Sequence, residues 1–283
     1  MNKVDSLRNE RERDVPFGAR LSVETELGYI DAALSHADQT EEKGALVEKV
    51  EITDDVDKTP AANQVHKLKE STLEKNRIVT PKYHNSETSS AYKILRTQVA
   101  KILLQNNWNR LAIFSAREGQ GSTLTATNLA FFMSILHGYK ITLADINFKK
   151  PSVHKGLGLE LHKGINDCLL GDSNVDEVLA HIDGYDLSIM PCLDEIDNSS
   201  EVLMSPKFKE VITDITSPRK NEIVIMDMPP ALSADDVLAS IDHWDASLIV
   251  IQHGVTKEKD LKKTLDLIAQ KPVIGTVYNN VAF

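Results

Sequence analysis

The hydrophobic positions of the chain are concentrated after residue 85, where short apolar runs alternate with amphipathic stretches. The runs that indicate strands, several with little polar alternation, are "RLAIFS", "YKITLAD", "DLSIM", "NEIVIMD", "DASLIVIQ" and "PVIGTVYN". Such runs are typical of strands buried on both faces of a parallel sheet. Helical stretches, including "PKFKEVITDI" and "TKEKDLKKTLDLIA", lie between some of them. The pattern predicts an α/β domain over residues 86–283, with a doubly wound, mostly parallel sheet flanked by helices.

Two further helices are predicted around the first strand. In "SETSSAYKILRTQVAKILLQ" one apolar stripe indicates a helix laid on a core. Its members are Ala91, Ile94, Leu95, Val99, Ile102 and Leu103. After the strand "RLAIFS" comes "STLTATNLAFFMSILHG", whose apolar spacing predicts a helix that closes at Gly138. Strand, glycine-containing loop and helix form one βα unit.

The first 80 residues have a different composition, with 12 Lys and Arg and 17 Asp and Glu. A stretch so charged and so poor in aromatic residues buries too little apolar surface to offset the entropy of ordering it. Residues 21–34 and 44–52 are amphipathic and could become helices against a partner. We therefore expect residues 1–85 to be a largely flexible or partner-binding segment.

The overall charge and the cysteines exclude several classes of function. A net charge of -10 provides no electrostatic footprint for nucleic acid. No apolar run approaches the length of a membrane-spanning helix, so direct membrane insertion is not expected. The two cysteines, Cys168 and Cys192, lack metal-ligand or redox spacing. A cytoplasmic protein is expected, reaching the inner face of the membrane only through a partner.

The loop after the first strand has the features of a phosphate-binding site. Glycines let backbone N–H groups approach an anion closely, and the N-terminus of the following helix adds a favourable field. The expected nucleotide-binding residues are Arg117, Glu118, Gly119, Gln120, Gly121, Ser122, Thr123 and Leu124. A plain tight turn at the two glycines is the alternative.

Two aspartates end predicted strands near this loop. Asp145 ends "ITLAD" and Asp227 ends "EIVIMD". Together with the Thr123 hydroxyl they are the expected Mg²⁺ ligands, and the two carboxylates are the candidate catalytic groups. Capping of the helices that follow is the alternative role.

Four sequence motifs of the chain together resemble those of one group of proteins. "AYKILRTQ", "SAREGQGST", "LADINFKKPSVHKGLGL" and "IVIMDMPPAL" occur in the order and spacing of the bacterial tyrosine kinases and their polysaccharide-synthesis ATPase relatives. The region that resembles them runs from about residue 86 to residue 280. The resemblance implies a P-loop fold of the partitioning-ATPase type, binding of ATP or ADP with Mg²⁺, and docking on a membrane polysaccharide co-polymerase. With the glycine loop counted as the first motif, the second is "LADINFKKPSVHKGLGL" and the third is "IVIMDMPPAL". The resemblance implies that the carboxylates of the second and third motifs handle Mg²⁺ and activate the attacking hydroxyl.

The chain departs from that family at several positions. The loop lysine is replaced by Ser122, and an acid of the second motif is replaced by Asn147. A serine cannot neutralise phosphate charge where the transition state needs it, so turnover is expected to suffer more than binding. The chain ends in "TVYNNVAF", and no tyrosine-rich substrate tail is visible in it.

Other positions around these motifs leave questions open. Arg117 lies five residues before Ser122, and we hypothesise that its guanidinium supplies part of the missing charge. An exposed loop arginine is the alternative. The basic tail of the second motif contains Lys149, Lys150 and His154, which could touch phosphate or a partner loop, or form a solvated turn. The resemblance implies ring assembly through an acidic position of the helix before the first strand, and Ser90 occupies that position here, which leaves formation of a homo-oligomer open.

Three functions follow from the sequence. The first is an ATP-binding, kinase-like regulator of exopolysaccharide or capsule synthesis with weak or absent catalysis. The second is an active tyrosine kinase or ATPase in which Arg117 replaces the lysine. The third is an interaction scaffold that binds no nucleotide.

Overall fold

One sheet organises the part of the protein that the structure describes. The computed structural model describes residues 65–82, 87–216, 221–233 and 235–280. The strands found there are β1 (Val65–His66), β2 (Arg110–Ser115), β3 (Lys140–Asp145), β4 (Ala180–Ile182), β5 (Leu187–Met190), β6 (Glu222–Asp227), β7 (Ala246–Gln252) and β8 (Val273–Asn279). They lie in the order β1-β4-β5-β3-β6-β2-β7-β8, and only the β4–β5 pair is antiparallel. The predicted mostly parallel sheet is confirmed.

Helices cover both faces of this sheet. They are α1 (Glu70–Lys75), α2 (Glu87–Gln105), α3 (Ser122–Met133), α4 (Val153–Leu157), α5 (Ile165–Leu170), α6 (Val175–Val178), α7 (Ser199–Leu203), α8 (Pro206–Thr216), α9 (Asp236–Ala239) and α10 (Glu258–Leu267). Side chains of α1 to α4 belong to the core on one face, and side chains of α5 to α10 pack on the other. Alternate residues of β2 point to the two cores, as the period of a strand requires.

The buried face of α2 differs from the predicted stripe. Ile94 is 59% exposed, whereas Tyr92 is buried and stacks on Phe132 of α3 with ring centroids 5.6 Å apart. The buried positions are Ser89, Tyr92, Leu95, Val99, Ala100 and Leu103. The stripe is rotated because Tyr92, which the apolar pattern left out, packs against α3.

Helix α3 ends earlier than predicted. It stops at Met133, and Ser134 donates its N–H to the carbonyl of Ala130. Gly138 has a φ of +80° and lies in the turn before β3. Every residue from Thr125 to Met133 is buried, so the helix has no polar face from which its end could be read.

Part of the segment expected to be flexible belongs to the fold. β1 pairs with β4 at one edge of the sheet, and Leu73 and Ile78 are buried in the core. The domain therefore begins before the predicted boundary at residue 86, because a few apolar residues within a charged stretch suffice to anchor α1. Residues 21–34 and 44–52 lie outside the described residues. No helix in the described ranges has both the length and the apolar character needed to span a membrane.

Candidate functional site

The glycine loop lies between β2 and α3. Gly119 and Gly121 have φ values of +76° and +90°, in the left-handed region that favours glycine. The first residue of α3 is Ser122, so the free N–H groups of its first turn open toward this loop. The Asn279 side chain at the end of β8 donates a hydrogen bond to the Gln120 carbonyl at 3.0 Å. The loop is therefore held from the edge strand of the sheet.

The two glycines provide a test of this loop. We expect Gly121→Ala to lower the free energy of unfolding by more than 2 kcal/mol, because the positive φ costs a side chain about 1–2 kcal/mol and the new Cβ would meet the Asn279 amide. Gly119→Ala is the matched control, since its Cβ would meet nothing and only the backbone cost remains. Urea unfolding of the two variants measures the difference. Equal losses would contradict the close approach of Asn279 to Gly121.

The two predicted aspartates stand side by side on neighbouring strands. Asp145 of β3 and Asp227 of β6 are register partners, and both are fully buried. The Asp145 carboxylate accepts hydrogen bonds from the backbone N–H groups of Ser152 at 2.9 Å, Val153 at 3.0 Å and Asn147 at 3.3 Å. It thereby fixes the turn that leads from β3 into α4.

Both carboxyl groups are shifted toward the protonated form. Burial raises the pKa of Asp145 to about 7, against the opposing effect of its three backbone donors. Burial, followed by the neighbouring Asp145 carboxylate, raises the pKa of Asp227 well above its usual range. The Thr123 hydroxyl opposes this rise only in part. Within the described residues, no hydrogen bond of regular geometry reaches either carboxylate oxygen of Asp227.

A cavity of about 770 Å³ opens beside the loop. The predicted residues that line it are Glu118, Gly119, Gly121, Ser122, Thr123 and Leu124. Other parts of the wall come from the β3–α4 turn, from the Pro229–Pro230 segment after β6, and from Asn76 and Ile78. The space bordered by the glycine loop thus also borders the turn that Asp145 holds.

The structure places Arg117 away from this cavity. Its guanidinium makes two hydrogen bonds to the buried Asp260 carboxylate of α10, at 2.8 and 3.0 Å. Its backbone N–H donates to the Gln120 side chain at 3.1 Å. Arg117 and Gln120 therefore support the loop from outside the cavity. The hypothesis that Arg117 contacts phosphate gains no support from this geometry.

Three lysines line the cavity instead. Lys150 forms an ion pair with Glu118 at 2.7 Å, which bridges the β3–α4 turn and the glycine loop. Lys149 and Lys155 also lie in the wall, whereas His154 is buried and its Nδ1 has no hydrogen-bond partner within the described residues. Sequence reasoning missed Lys155. Lys155 could have been predicted from its position directly after His154, at the end of the basic tail of the second motif.

The segment before α2 braces this side of the site. The Asn76 side chain donates to the Gly156 carbonyl of α4 at 2.7 Å. The Val79 N–H donates to the Asn128 side chain of α3 at 3.0 Å. Sequence reasoning missed Asn76 because its segment was expected to be flexible.

The chain is similar in sequence to proteins of one class. It is 27% identical over 219 residues to the tyrosine-protein kinase YwqD of Bacillus subtilis, covering 76% of this chain and 90% of that protein. It is 23% identical over 206 residues to the tyrosine-protein kinase ptk of Acinetobacter johnsonii, covering 72% of this chain. Its relatives are bacterial tyrosine-protein kinases. The resemblance inferred from the motifs is confirmed, although no protein-family model matches the chain.

The overlap with these kinases varies in extent. The chain covers nearly all of YwqD but spans only 28% of the length of ptk. Among solved structures, the chimerical protein CapA2B2 matches with a TM-score of 0.66 and 21% identity over 77% of this chain and 93% of that one. The kinase domain of Escherichia coli ETK matches with a TM-score of 0.63 and 20% identity, over 77% and 89% of the two chains. The fold of these kinase domains is therefore shared.

The site's donor groups fit the Mg²⁺ and nucleotide that the resemblance implies. Within the described residues, Asp227 offers two buried oxygens without regular hydrogen bonds, next to Asp145 and the Thr123 hydroxyl. In the described ranges no three His, Cys, Asp or Glu side chains form a cluster able to hold a metal alone. Mg²⁺ suits such a site, because it commonly takes one or two carboxylates and completes its shell with water and phosphate oxygens.

Proposed function

We propose that this chain is a nucleotide-binding, tyrosine-kinase-like protein of exopolysaccharide or capsule synthesis, weak or inactive in catalysis. In this proposal it acts as a regulator of a membrane polysaccharide co-polymerase. One observation carries the nucleotide part of the proposal. A glycine loop at the head of α3 borders a cavity beside a buried carboxylate pair, and that loop carries Ser122 in the place of the lysine.

Binding would depend mainly on the backbone. The N–H groups of the glycine loop and the first turn of α3 would hold the phosphates, and the Thr123 hydroxyl would bind Mg²⁺. Bound Mg²⁺ and nucleotide would supply the transferable phosphoryl group and neutralise charge developing on it. Asp145 and Asp227 would orient the metal, and Asp145 with its raised pKa could also accept a proton from an attacking hydroxyl.

Three positions in the same cavity support the proposal of weak catalysis. Ser122 carries no charge, and Asn147 removes a carboxylate. Glu118 adds a negative charge to the loop, which Lys150 is occupied in neutralising. Phosphoryl transfer depends on preorganised positive charge around the moving group, so each of these differences raises the barrier.

Docking on a co-polymerase is proposed from the relatedness to tyrosine-protein kinases alone. Co-purification of the chain with membranes that carry a polysaccharide co-polymerase, compared with membranes lacking it, tests this part. Equal recovery from both would exclude the proposed partner.

The nucleotide part is tested by titrating the chain with ATP and Mg²⁺. We expect calorimetry to detect binding, and a ligand concentration of 100 times Kd to stabilise the fold by about 2.7 kcal/mol. Adenosine, which lacks phosphates, serves as the control ligand and should give a much smaller shift. Hydrolysis of ATP should stay close to the protein-free background.

The nucleotide titration and an assay of tyrosine phosphorylation together separate the alternative functions. No thermal shift with ATP or ADP would favour a nucleotide-free scaffold and contradict the proposal. Vigorous ATP-dependent tyrosine phosphorylation would instead favour an active kinase. Replacing Arg117 by Ala would then show whether Arg117 takes part, although its ion pair with Asp260 argues against this.

A further inference from the structure

The glycine loop has no side-chain cation of its own directed at the cavity. Ser122 is neutral, and the Arg117 guanidinium is held by Asp260 outside the cavity wall. Glu118 adds a negative charge. A nucleotide with two or three phosphates would therefore need its neutralising charge from another element of the cavity.

The three cavity lysines differ in what they face. Lys150 is paired with Glu118 at 2.7 Å. The charge of Lys149 acts on Asp236, which accepts hydrogen bonds from Ser199. The charge of Lys155 acts on Asp145, beside Asp227. Of the three, Lys155 is the cavity-wall lysine whose charge acts on Asp145, next to which bound phosphates and Mg²⁺ would lie.

The backbone of Lys155 is fixed by its helix, whereas its ammonium group makes only a weak contact that it can exchange for another. Helix α4 contains Lys155 and is fixed by two hydrogen bonds. The Val153 N–H at its start donates to the Asp145 carboxylate, and the Asn76 side chain donates to the Gly156 carbonyl. The Lys155 ammonium donates to the Pro151 carbonyl at 3.3 Å, beyond the usual range of an N–H···O bond. Within the described residues no carboxylate lies at ion-pair distance from it. A phosphate oxygen could take over this weak contact at little cost.

We propose that Lys155 supplies to the nucleotide's phosphates the positive charge that Ser122 cannot. This inference rests on the proposed nucleotide-binding function and names the cation of that site. The charge is delivered from the β3–α4 side of the cavity, so it neutralises bound phosphate without occupying the position of the loop lysine. Lys155 is thus a binding residue that supports affinity more than turnover.

The test is calorimetry of the full chain with ADP and Mg²⁺, comparing three lysine-to-methionine variants. Lys155→Met should weaken binding roughly tenfold or more, because a hydrogen bond to a charged group contributes enough for such a change. Lys149→Met should lose at most about threefold. Lys101→Met, on the exposed side of α2, controls for the change in net charge and should bind like the wild type. The double variant Ser122→Lys with Lys155→Met should recover affinity.

The outcomes separate this inference from the function on which it rests. If Lys155→Met binds like the wild type, or loses no more than Lys149→Met, the assignment to Lys155 is overturned and nucleotide binding stands. If the wild type fails to bind but Ser122→Lys binds, Lys155 does not replace the loop lysine and the inference is also overturned. If no protein binds, including Ser122→Lys, the proposed function fails and the inference fails with it. Thermal unfolding without ligand verifies that each variant is folded.

Discussion

Asp227→Asn is expected to raise the free energy of unfolding of the ligand-free protein by about 2–4 kcal/mol at pH 8. The carboxylate of Asp227 is fully buried beside Asp145, and within the described residues its oxygens lack hydrogen bonds of regular geometry. At pH 8 a carboxyl group buried in this way either carries an uncompensated charge or keeps a proton that the unfolded chain releases. Either state costs the fold several kcal/mol, and an amide of the same shape removes that cost. A residue retained at this cost to the fold is typical of a site kept for binding.

The contribution of the two buried carboxyl groups to the free energy of unfolding falls as the pH rises. Both carboxyl groups have a pKa above that of the unfolded chain, so the folded state keeps protons that the unfolded state releases. The stability that this contributes is fully present below about pH 4. The part contributed by Asp145 is lost as the pH rises through its pKa of about 7, and the part contributed by Asp227 is lost as the pH rises through that group's raised pKa. Asp227→Asn should therefore flatten the fall in wild-type stability over this range.

Urea unfolding at pH 5 and pH 8 measures the effect. The gain from Asp227→Asn should be larger at pH 8, where it corresponds to an increase in Tm of several degrees for a domain of this size. Asp266→Asn, at an exposed position of α10, is the matched control and should change stability little. Asp145→Asn should gain less, because Asp145 accepts three backbone hydrogen bonds that an amide satisfies poorly. A loss of stability in Asp227→Asn would show that burial of this carboxyl group does not destabilise the fold.

The extent to which sequence predicted the fold depended on element length. The strands of four to seven residues, which are β2, β3, β5, β6, β7 and β8, were predicted from short apolar runs that a mostly parallel sheet explains. β1 has two residues and β4 three, too few for any period to be visible. The buried face of α2 was misplaced because Tyr92, with its polar hydroxyl, is committed to the core only by its stacking on Phe132.

The site residues likewise fall into those that local sequence patterns predict and those that depend on contacts between distant segments. The glycine loop and the two strand-end aspartates follow local rules, and the parallel register brings Asp145 and Asp227 together as those rules imply. Asp260 is 143 residues from Arg117, and nothing in either local pattern indicates that they pair. Asn76 reaches Gly156 across 80 residues in the same way. Contacts between distant segments depend on how the helices pack, so the side chains that brace the site required the structure.

Ser122→Lys is expected to raise ATP hydrolysis or phosphoryl transfer by about 10²–10³. Position 122 is the first residue of α3 and lines the cavity beside Thr123, so a lysine there can extend toward bound phosphates. Removing one preorganised electrostatic donor from a phosphoryl or acyl transfer site commonly costs a factor of this size, and restoring it should recover a comparable factor. Steady-state phosphate release with Mg²⁺ measures the change.

Charge rather than side-chain length should determine this gain. Ser122→Met has similar length and no charge, and it should stay at the wild-type rate. Adding Asp227→Asn to Ser122→Lys should abolish the gain, because the lysine assists only phosphates held beside the carboxylate pair. An equal rate in Ser122→Lys and Ser122→Met would mean that the missing ammonium does not limit catalysis. Asn147, which also lines the cavity and stands where the resemblance implies an acid, would then be the remaining position to restore.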